Sequence, residues 1–475
     1  MSQTKSFYIP AFLVFFLSLG LYDLPVISYL IAWLGSFYIF YLTWFSKQRL
    51  TNKDLSFTSQ IMRPLFLLQL IFAGFMCCTS IFYFIDHLGY EFFDKKDLSH
   101  FVANQKTYLI AKCQRLSLLA HMALVWGMLL QQNKTYNAHT FNFSKTIKKL
   151  NFQWLKLAIG FYIIGIAFQL VSGLFQFSIY FSNMAIFCAS LLLLKGLIKK
   201  EPILITYGSI IFGLNFINAT LTGYKEHILI NVIILFALLL PYYKRIIILL
   251  SFPTIYILLY VLPTYATIIR EQAWTGEMTA EQARSEAFET LVSDKDIEDK
   301  VAETNWSFLT NRFSEIAMFT EFVAFVPERR DYYGLEILED SFLALIPRVF
   351  YPNKPITELV AMERVYEAGV IERGANVSAK TRPVVDGYLS FGYLGVFLFL
   401  LALGYLIQFF NNTAERWFGG YEFGCIVVFN GCFQTLWRGN NFEFMLNNVL
   451  YGFITMWFVF IVLKKLQILV PSKSA

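Results

Sequence analysis

Charge is scarce in this chain. Only 15% of its 475 residues are Asp, Glu, Lys or Arg, whereas soluble domains sit near a quarter. Histidine is scarcer still, at five residues. There is no Gly-rich phosphate loop, HExxH, GxSxG or Cys/His cluster in the sequence, so ATP-driven transport, metalloprotease and serine-hydrolase readings lose their residues. Of the cysteines, Cys77, Cys78, Cys188, Cys425 and Cys432 lie in apolar runs and Cys113 at the edge of one. None has the spacing of a metal site or a loop disulfide, and small apolar packing residues are what that placement implies. What fills the chain instead is apolar: 57% is hydrophobic, with 51 Phe and 27 Tyr, and the mean hydropathy is +0.53. No water-soluble core hides that much surface, and runs of about 20 apolar residues recur, as bilayer-spanning helices require. A soluble enzyme, a nucleic-acid-binding domain and a disordered protein are excluded. The expected class is an all-α integral membrane protein.

The net charge of +6 conceals a segregation. Between Tyr265 and Tyr388 there are 13 basic and 22 acidic residues, leaving 26 basic and 11 acidic elsewhere. The acidic stretch reads as an aqueous region and the remainder as membrane with basic loops. Hydropathy places about twelve spans, near Phe7–Tyr22, Pro25–Phe45, Pro64–Ile85, Gln114–Gln131, Leu155–Leu174, Ser178–Leu194, Ile203–Leu221, Ile228–Tyr243, Ile247–Tyr265, Leu389–Phe410, Phe423–Trp437 and Phe444–Leu463. The first is expected to be retained, because no small-residue cleavage site follows it. The fourth holds Arg115 and His121 and reads equally as a re-entrant segment. Alternate loops carry Lys47, Arg49 and Lys53, then Lys134, Lys145, Lys148 and Lys149, then Lys195, Lys199 and Lys200, then Lys244 and Arg245, with Lys464, Lys465 and Lys473 after the last span. This alternation predicts both termini on the cytoplasmic side.

The expected organisation is therefore spans 1–9 over residues 1–265, a large outer loop over 266–388, and spans 10–12 over 389–475. The loop has helical texture. Thr279 and Gln282 form a capping box before an acidic stretch to Glu303. Leu309, Phe313, Ile316, Thr320 and Val323 repeat at helical spacing from Trp306 to Val326, and a third run, Leu335–Ile346, stops at Pro347.

Chemistry has few residues to draw on. Lys225 and Glu226 lie in the turn LTGYKEHILI, with His227 beside them; Arg312 and Glu315 share a helical face in NRFSEIA; Arg348 and Lys354 occur in IPRVFYPNKP, whose prolines are expected to hold the chain extended. Arg382 and Asp386 precede the tenth span, and Arg438 caps the eleventh in LWRGNNFEF. Outward cations near a membrane surface suit a diphosphate-linked lipid, since Arg grips phosphate oxygens as a fork and Lys as a point charge. A carboxylate among Glu226, Glu315 and Asp386 would serve as base for an attacking sugar hydroxyl. Each residue also has a purely structural reading. Arg312–Glu315 suits a solvated helix pair, Arg348 a helix stop, Lys225–Glu226 the solvation of a short turn, and Arg438 snorkelling to the interface. The acidic run Glu277–Glu303 suits a soluble face.

The strings LTGYKEHIL, NRFSEIA, IPRVFYPNKP followed by DGYLSFGYLGVF, and LWRGNN, set among many spans with one large late loop, resemble the O-antigen polymerase (Wzy-like) family of oligosaccharide repeat-unit polymerases, relatives of the O-antigen ligases. The likeness covers about the second half of the chain. It implies outer-face roles for Lys225, Arg312, Arg348, Lys354 and Arg438, no metal, no cofactor and no nucleotide sugar. Lys225 stands where such proteins often have Arg, and Asn440 where an acid often follows Arg-Gly. Ligases of this superfamily use an outer-loop His, which is lacking here. The expected activity is transfer of a growing glycan from undecaprenyl diphosphate to a new repeat unit at the outer face of a bacterial inner membrane. The expected partners are the undecaprenyl-diphosphate-linked oligosaccharide, membrane lipid and a chain-length regulator, with no nucleic acid. Four alternatives stand beside it. A flippase would use charges at mid-membrane, for which Arg115 and His121 are the candidates. A ligase-like transferase would move the finished chain, and a polyprenyl-phosphate-sugar transferase would carry acids in its first outer loop, here only Asp23 and Leu24. A scaffold would dock partners on Glu277–Glu303.

Overall fold

The computed structural model describes residues 2–45, 60–61, 63–91, 95–96, 104–132, 140–143, 152–171, 174–221, 225–257, 305–348, 350–374, 379–420, 424 and 440–472. Helices dominate these residues. In chain order they are α1 (Ser2–Gly20), α2 (Pro25–Trp44), α3 (Pro64–Ala73) and, after a π-helical turn over Gly74–Cys78, α4 (Ser80–His87). There follow α5 (Gln105–Gln132), α6 (Phe152–Gln169), α7 (Phe175–Lys199), α8 (Pro202–Leu221), α9 (Lys225–Leu239) and α10 (Lys244–Tyr256). The late part holds α11 (Ile316–Phe325), α12 (Glu336–Leu345), α13 (Thr357–Glu367), α14 (Pro383–Trp417) and α15 (Phe442–Lys465). Pro25, Pro64 and Pro383 open their helices, where a missing N–H costs nothing and a fixed φ favours the first turn. Among the described residues, strands are confined to two short antiparallel pairs, Tyr90–Glu91 with Lys95–Lys96 and Phe141–Phe143 with Leu469–Pro471.

A helix overlies each expected span except the eleventh, Phe423–Trp437, which lies almost wholly outside the described residues. Among the described residues, six stretches are long and apolar enough to cross a bilayer, namely Pro25–Trp44, Pro64–His87, Gln105–Gln131, Phe177–Lys199, Pro383–Trp417 and Phe442–Lys465. Shorter apolar helices cover Ile9–Gly20, Trp154–Gln169 and Pro202–Leu214. Ile163, Leu214, Leu394 and Trp457 stand exposed on these helices, and Leu249 and Phe252 on α10, an outward apolar surface that only a bilayer satisfies. The protein is an all-α membrane protein, and six is the number of spans its described helices carry by length and composition.

The fourth expected span is a full helix, not a re-entrant segment. At 28 residues α5 is roughly 42 Å long, and it is buried on nearly every side. It runs parallel to α14. Lys112 meets Tyr388, Trp126 meets Phe397, and Asn412 donates to the Gln131 carbonyl, so the two helices advance together from one end of the bundle to the other. Glycines bring them close. A Cβ on Gly127 would lie 2.1 Å from the Leu401 carbonyl oxygen, and one on Gly404 2.2 Å from that of Leu124. Two buried polar side chains of α5 find partners inside the bundle, as lipid burial favours. Gln114 donates to the Cys77 carbonyl at 3.1 Å within the π-helical turn, and His121 shares a 3.0 Å hydrogen bond with Gln69. The expected cysteine placement recurs at Cys77, Cys78, Cys113 and Cys188, which are free and buried or half-buried; Cys425 and Cys432 fall outside the described residues.

These contacts define two ends. The upper end gathers the turn after α1, the start of α5, the segment 305–382 and the starts of α14 and α15. The lower end gathers Arg63, paired fork-to-fork with Glu415 at 2.9 and 3.0 Å, and the strand pair of Phe141–Phe143 with Leu469–Pro471. α7 joins α6, α8 and α9 to the bundle through Tyr180, whose hydroxyl donates to Asn448 of α15 at 2.7 Å.

The segment 305–382 departs from its sequence pattern in two places. The periodic run from Trp306 to Val326 is not one helix: a π-helical turn over Leu309–Phe313 ends at an extended Ser314 before α11 begins. The proline-rich string is a closed turn and not an extended arm, because Arg348 Nη1 donates to the carbonyls of Pro352 and Lys354 at 3.2 and 3.3 Å. The run stopping before Pro347 is helix α12, as expected. The acidic stretch with Thr279 and Gln282 lies outside the described residues.

Candidate functional site

The upper end of α14 is where charge concentrates. This helix starts at Pro383, within the expected loop, and breaks after two turns, at Phe391 and Gly392. Gly392 has φ +60° and ψ −136°, a conformation that only glycine adopts without strain. The break frees the carbonyls of Leu389 and Ser390, and the amides of Tyr333 and Gly334 take them at 2.9 and 3.1 Å. The short piece 383–390 is thereby clamped under the 305–382 segment and buried throughout.

One face of that piece carries Asp386, which is fully buried. Its Oδ2 accepts from the Phe442 amide at 2.7 Å, so it caps the first turn of α15 from a neighbouring helix, while Asn441 caps the same turn through Phe444 N at 3.2 Å. Glu443 in that turn is also fully buried and pairs with Arg364 of α13. Arg364 Nη2 lies 3.8 Å from Asp386 Oδ1. Burial opposes the charge on Arg364, but Glu443 and Asp386 outweigh it and hold the guanidinium above its ordinary value. Two buried carboxylates therefore share one buried cation, with the half-buried Asp340 of α12 near enough to interact with both Arg364 and Glu443. Burial, partly offset by Arg364, raises the Asp340 carboxyl above its ordinary value. Arg364 Nε, Glu443 Oε2 and Asn441 Nδ2 are buried without a hydrogen-bond partner.

Just before α14, Arg382 pairs with Glu315 at the head of α11, both largely shielded, at 16% and 12% exposure. Lys380 reaches Asn440 Oδ1 at 3.3 Å and Glu358 at 3.7 Å, with its ammonium over the Phe444 ring. The link 379–382 thus ties the α11 head to the α15 cap.

The expected site residues divide accordingly. Glu315, Arg382 and Asp386 come together at the α14 entry. Arg348 and Lys354 do not join them. Lys354 is buried with its ammonium donating to the carbonyls of Ala344 and Ile346 at 3.0 and 2.7 Å, and burial together with Arg348 lowers its pKa; Arg348 is exposed on the turn it closes. Glu315 faces Arg382, 67 residues on, and not along its own helix. The Lys225 backbone opens α9 with Glu226, and Arg312 lies in the π-helical turn, but these three side chains, and all of Arg438, lie outside the described residues.

Residues 13–471 match a family described as a domain of unknown function, DUF8712. The chain belongs to this family. No curated protein and no solved structure matches it. In this DUF8712 chain the sequence reading missed Arg364 and Glu443. Arg364 sits in an ordinary-looking amphipathic run, TELVAMERVYE, with no local mark of burial. Glu443 left a signal: a lone acid at the entry of a span, where an ionisable residue is functional by default. Chemically, the α14 entry offers carboxylates able to accept a proton and guanidinium groups able to take phosphate oxygens. Among the described residues no group of His, Cys, Asp and Glu has metal-site geometry.

Proposed function

We propose that this protein is a polymerase of undecaprenyl-diphosphate-linked oligosaccharide repeats, a metal-independent glycosyltransferase with about twelve spans and both termini in the cytoplasm, working at the outer face of the bacterial inner membrane for O-antigen, capsule or exopolysaccharide. The observation that carries this reading is the Arg382–Glu315 pair beside the buried Arg364–Asp386–Glu443 cluster, at the end of the bundle that bears the large loop. A diphosphate competing for Arg382 frees Glu315 to act as base. Glu315 then takes the acceptor hydroxyl proton, the acceptor oxygen bonds to the anomeric carbon, and the bond from that carbon to the diphosphate oxygen breaks. The electron pair leaves with undecaprenyl diphosphate. Asp386 and Glu443, tied through Arg364, are positioning residues that hold the α14 and α15 entries where Arg382 and Asn440 meet the substrate.

The test is the lipid-linked glycan profile of a deletion strain, with wild type, Glu315→Gln or Arg382→Gln restored. Single repeats accumulating on the carrier at the outer face, rescued by wild type and by neither variant, support the polymerase. Long chains stranded on the carrier mean a ligase-like transferase, and an unchanged profile overturns the glycan reading. The broken α14 favours one competitor, a flippase of the same lipid, since discontinuous helices with charges beside the break are transporter features. Repeats trapped at the inner face would select it.

A further inference from the structure

The opposite face of the 383–390 piece meets a second charged cluster on α5, and this one has no counter-ion among the described residues. Lys112 and Arg115 stand one turn apart on α5, where i, i+3 side chains share a face, and each charge acts on the other. Arg115 is buried, at 6% exposure. Its Nη1 donates to the Ser28 hydroxyl at 2.7 Å, the Tyr393 hydroxyl is near enough to act on it, and its Nε is without a partner. Lys112 is half-buried, and its Nζ donates to the Tyr388 hydroxyl at 3.0 Å. Among the described residues neither cation has a carboxylate within ion-pair distance; Glu328, exposed on the loop above, acts on Lys112 only from farther off. A guanidinium buried in a membrane bundle without an anion is costly to keep. Among the described residues, neutral hydroxyls leave both positive charges without an ion-pair partner.

We propose that Lys112 and Arg115 form a phosphate site for a diphosphate-headed isoprenoid lipid, a site that rests on and deepens the polymerase reading. Four observations converge on it. The two cations suit adjacent phosphates, one as a fork and one as a point charge. The tyrosine hydroxyls of Tyr388 and Tyr393 supply neutral hydrogen-bonding groups beside them. The α14 break at Phe391 and Gly392 lies between those tyrosines. Below it Phe391, Leu394 and Leu398 are exposed on one face, an apolar stripe against which a prenyl tail lies while its head enters the bundle. The site also adjoins the proposed reaction centre through α11: Glu315 at its head meets Arg382, and Phe319 packs edge-on to Tyr388.

The experiment uses the full chain in zwitterionic phosphatidylcholine nanodiscs and measures binding of farnesyl diphosphate and, separately, inorganic pyrophosphate. Lys112→Ala is expected to weaken farnesyl diphosphate binding about tenfold or more, the loss of one charge-assisted phosphate contact. Arg115→Gln is expected to do the same, with Arg115→Lys retaining part of the affinity. Because Lys112 is only half-buried, its variant keeps the fold even where Arg115→Gln does not. Tighter binding of farnesyl diphosphate than of pyrophosphate assigns the site to a lipid headgroup. Equal binding of the two, still lost in Lys112→Ala, assigns the phosphate chemistry to a free anion and removes the lipid. Unchanged affinity for both probes in Lys112→Ala and Arg115→Lys overturns the site while leaving the polymerase reading intact. A site confirmed by binding in a protein whose deletion leaves the glycan profile unchanged stands without that reading.

Discussion

Arg364 holds the α14 entry together at the scale of single residues. It is the one cation in contact with two fully buried carboxylates among the described residues, so its removal leaves Asp386 and Glu443 facing each other without compensation. Arg364→Leu is expected to destabilise the protein by about 3–5 kcal/mol, read as a fall in the melting temperature in detergent, and Asp386→Asn with Glu443→Gln in the same chain is expected to recover part of that loss. Asp340 gives a pH signature of opposite character to the usual carboxylate. Its folded pKa is raised, so the folded state binds the proton more tightly than the unfolded chain. The stability this contributes is complete below the ordinary value of about 3.9 and is lost as pH rises through the elevated folded value. Melting curves across that window should fall with rising pH in wild type and flatten in Asp340→Asn. Asp386 was legible as a candidate because it precedes a long apolar run. Arg364 was not, since its burial depends on partners 22 and 79 positions away that no periodicity in α13 reveals.

At the scale of elements, hydropathy locates helices well and their interruptions badly. α2 and α3 begin at the prolines that mark them, and α12 ends at Leu345, two residues before Pro347. The break of α14 is invisible to an apolar average, because FGYLG is as hydrophobic as an unbroken span; its only trace is a glycine able to take φ +60°. The break at Ser314 is hidden likewise, since the apolar spacing continues through it. Glycine also decides how α5 meets α14. A side chain at Gly127 or Gly404 would strike backbone at 2.1 or 2.2 Å, and backbone cannot step aside as a flexible side chain does. Small residues at such crossings are what lets membrane helices approach without a hydrophobic driving force. Gly127→Ala is expected to cost about 1–3 kcal/mol by forcing the helices apart, read as a lowered melting temperature. Gly213, with open space around its Cβ position, is the control, and its Ala variant should melt like wild type.

For the whole molecule, the decisive property is that contacts sort the turns around α1, α2, α5, α14 and α15 to one end or the other. The Tyr108 hydroxyl donates to the Asp23 carbonyl at 3.4 Å, which puts the α1–α2 turn beside the start of α5. Ser472 N and the Arg416 carbonyl both bond Thr140, which puts the ends of α14 and α15 beside the stretch after α5. This sorting comes from packing and owes nothing to charge, yet the basic clusters after α2, α5 and α15 follow turns of the lower end, while the acidic segment belongs to the upper. Two lines thus agree on which segments share a side, and the proposal that the lower end faces the cytoplasm rests on the positive-inside tendency. Single cysteines at the exposed positions Asp23, Glu358 and Gln467, in a background with the native cysteines removed, test it in whole cells with an outer membrane made permeable to a small, membrane-impermeant maleimide. Asp23→Cys and Glu358→Cys are expected to react in intact cells and Gln467→Cys only after the inner membrane is opened. Reaction of Asp23→Cys and Gln467→Cys from the same side would break the packing argument itself, whereas a clean inversion of all three would keep the packing, reverse the orientation and move the α14 entry to the cytoplasm, where an outer-face polymerase could not use it.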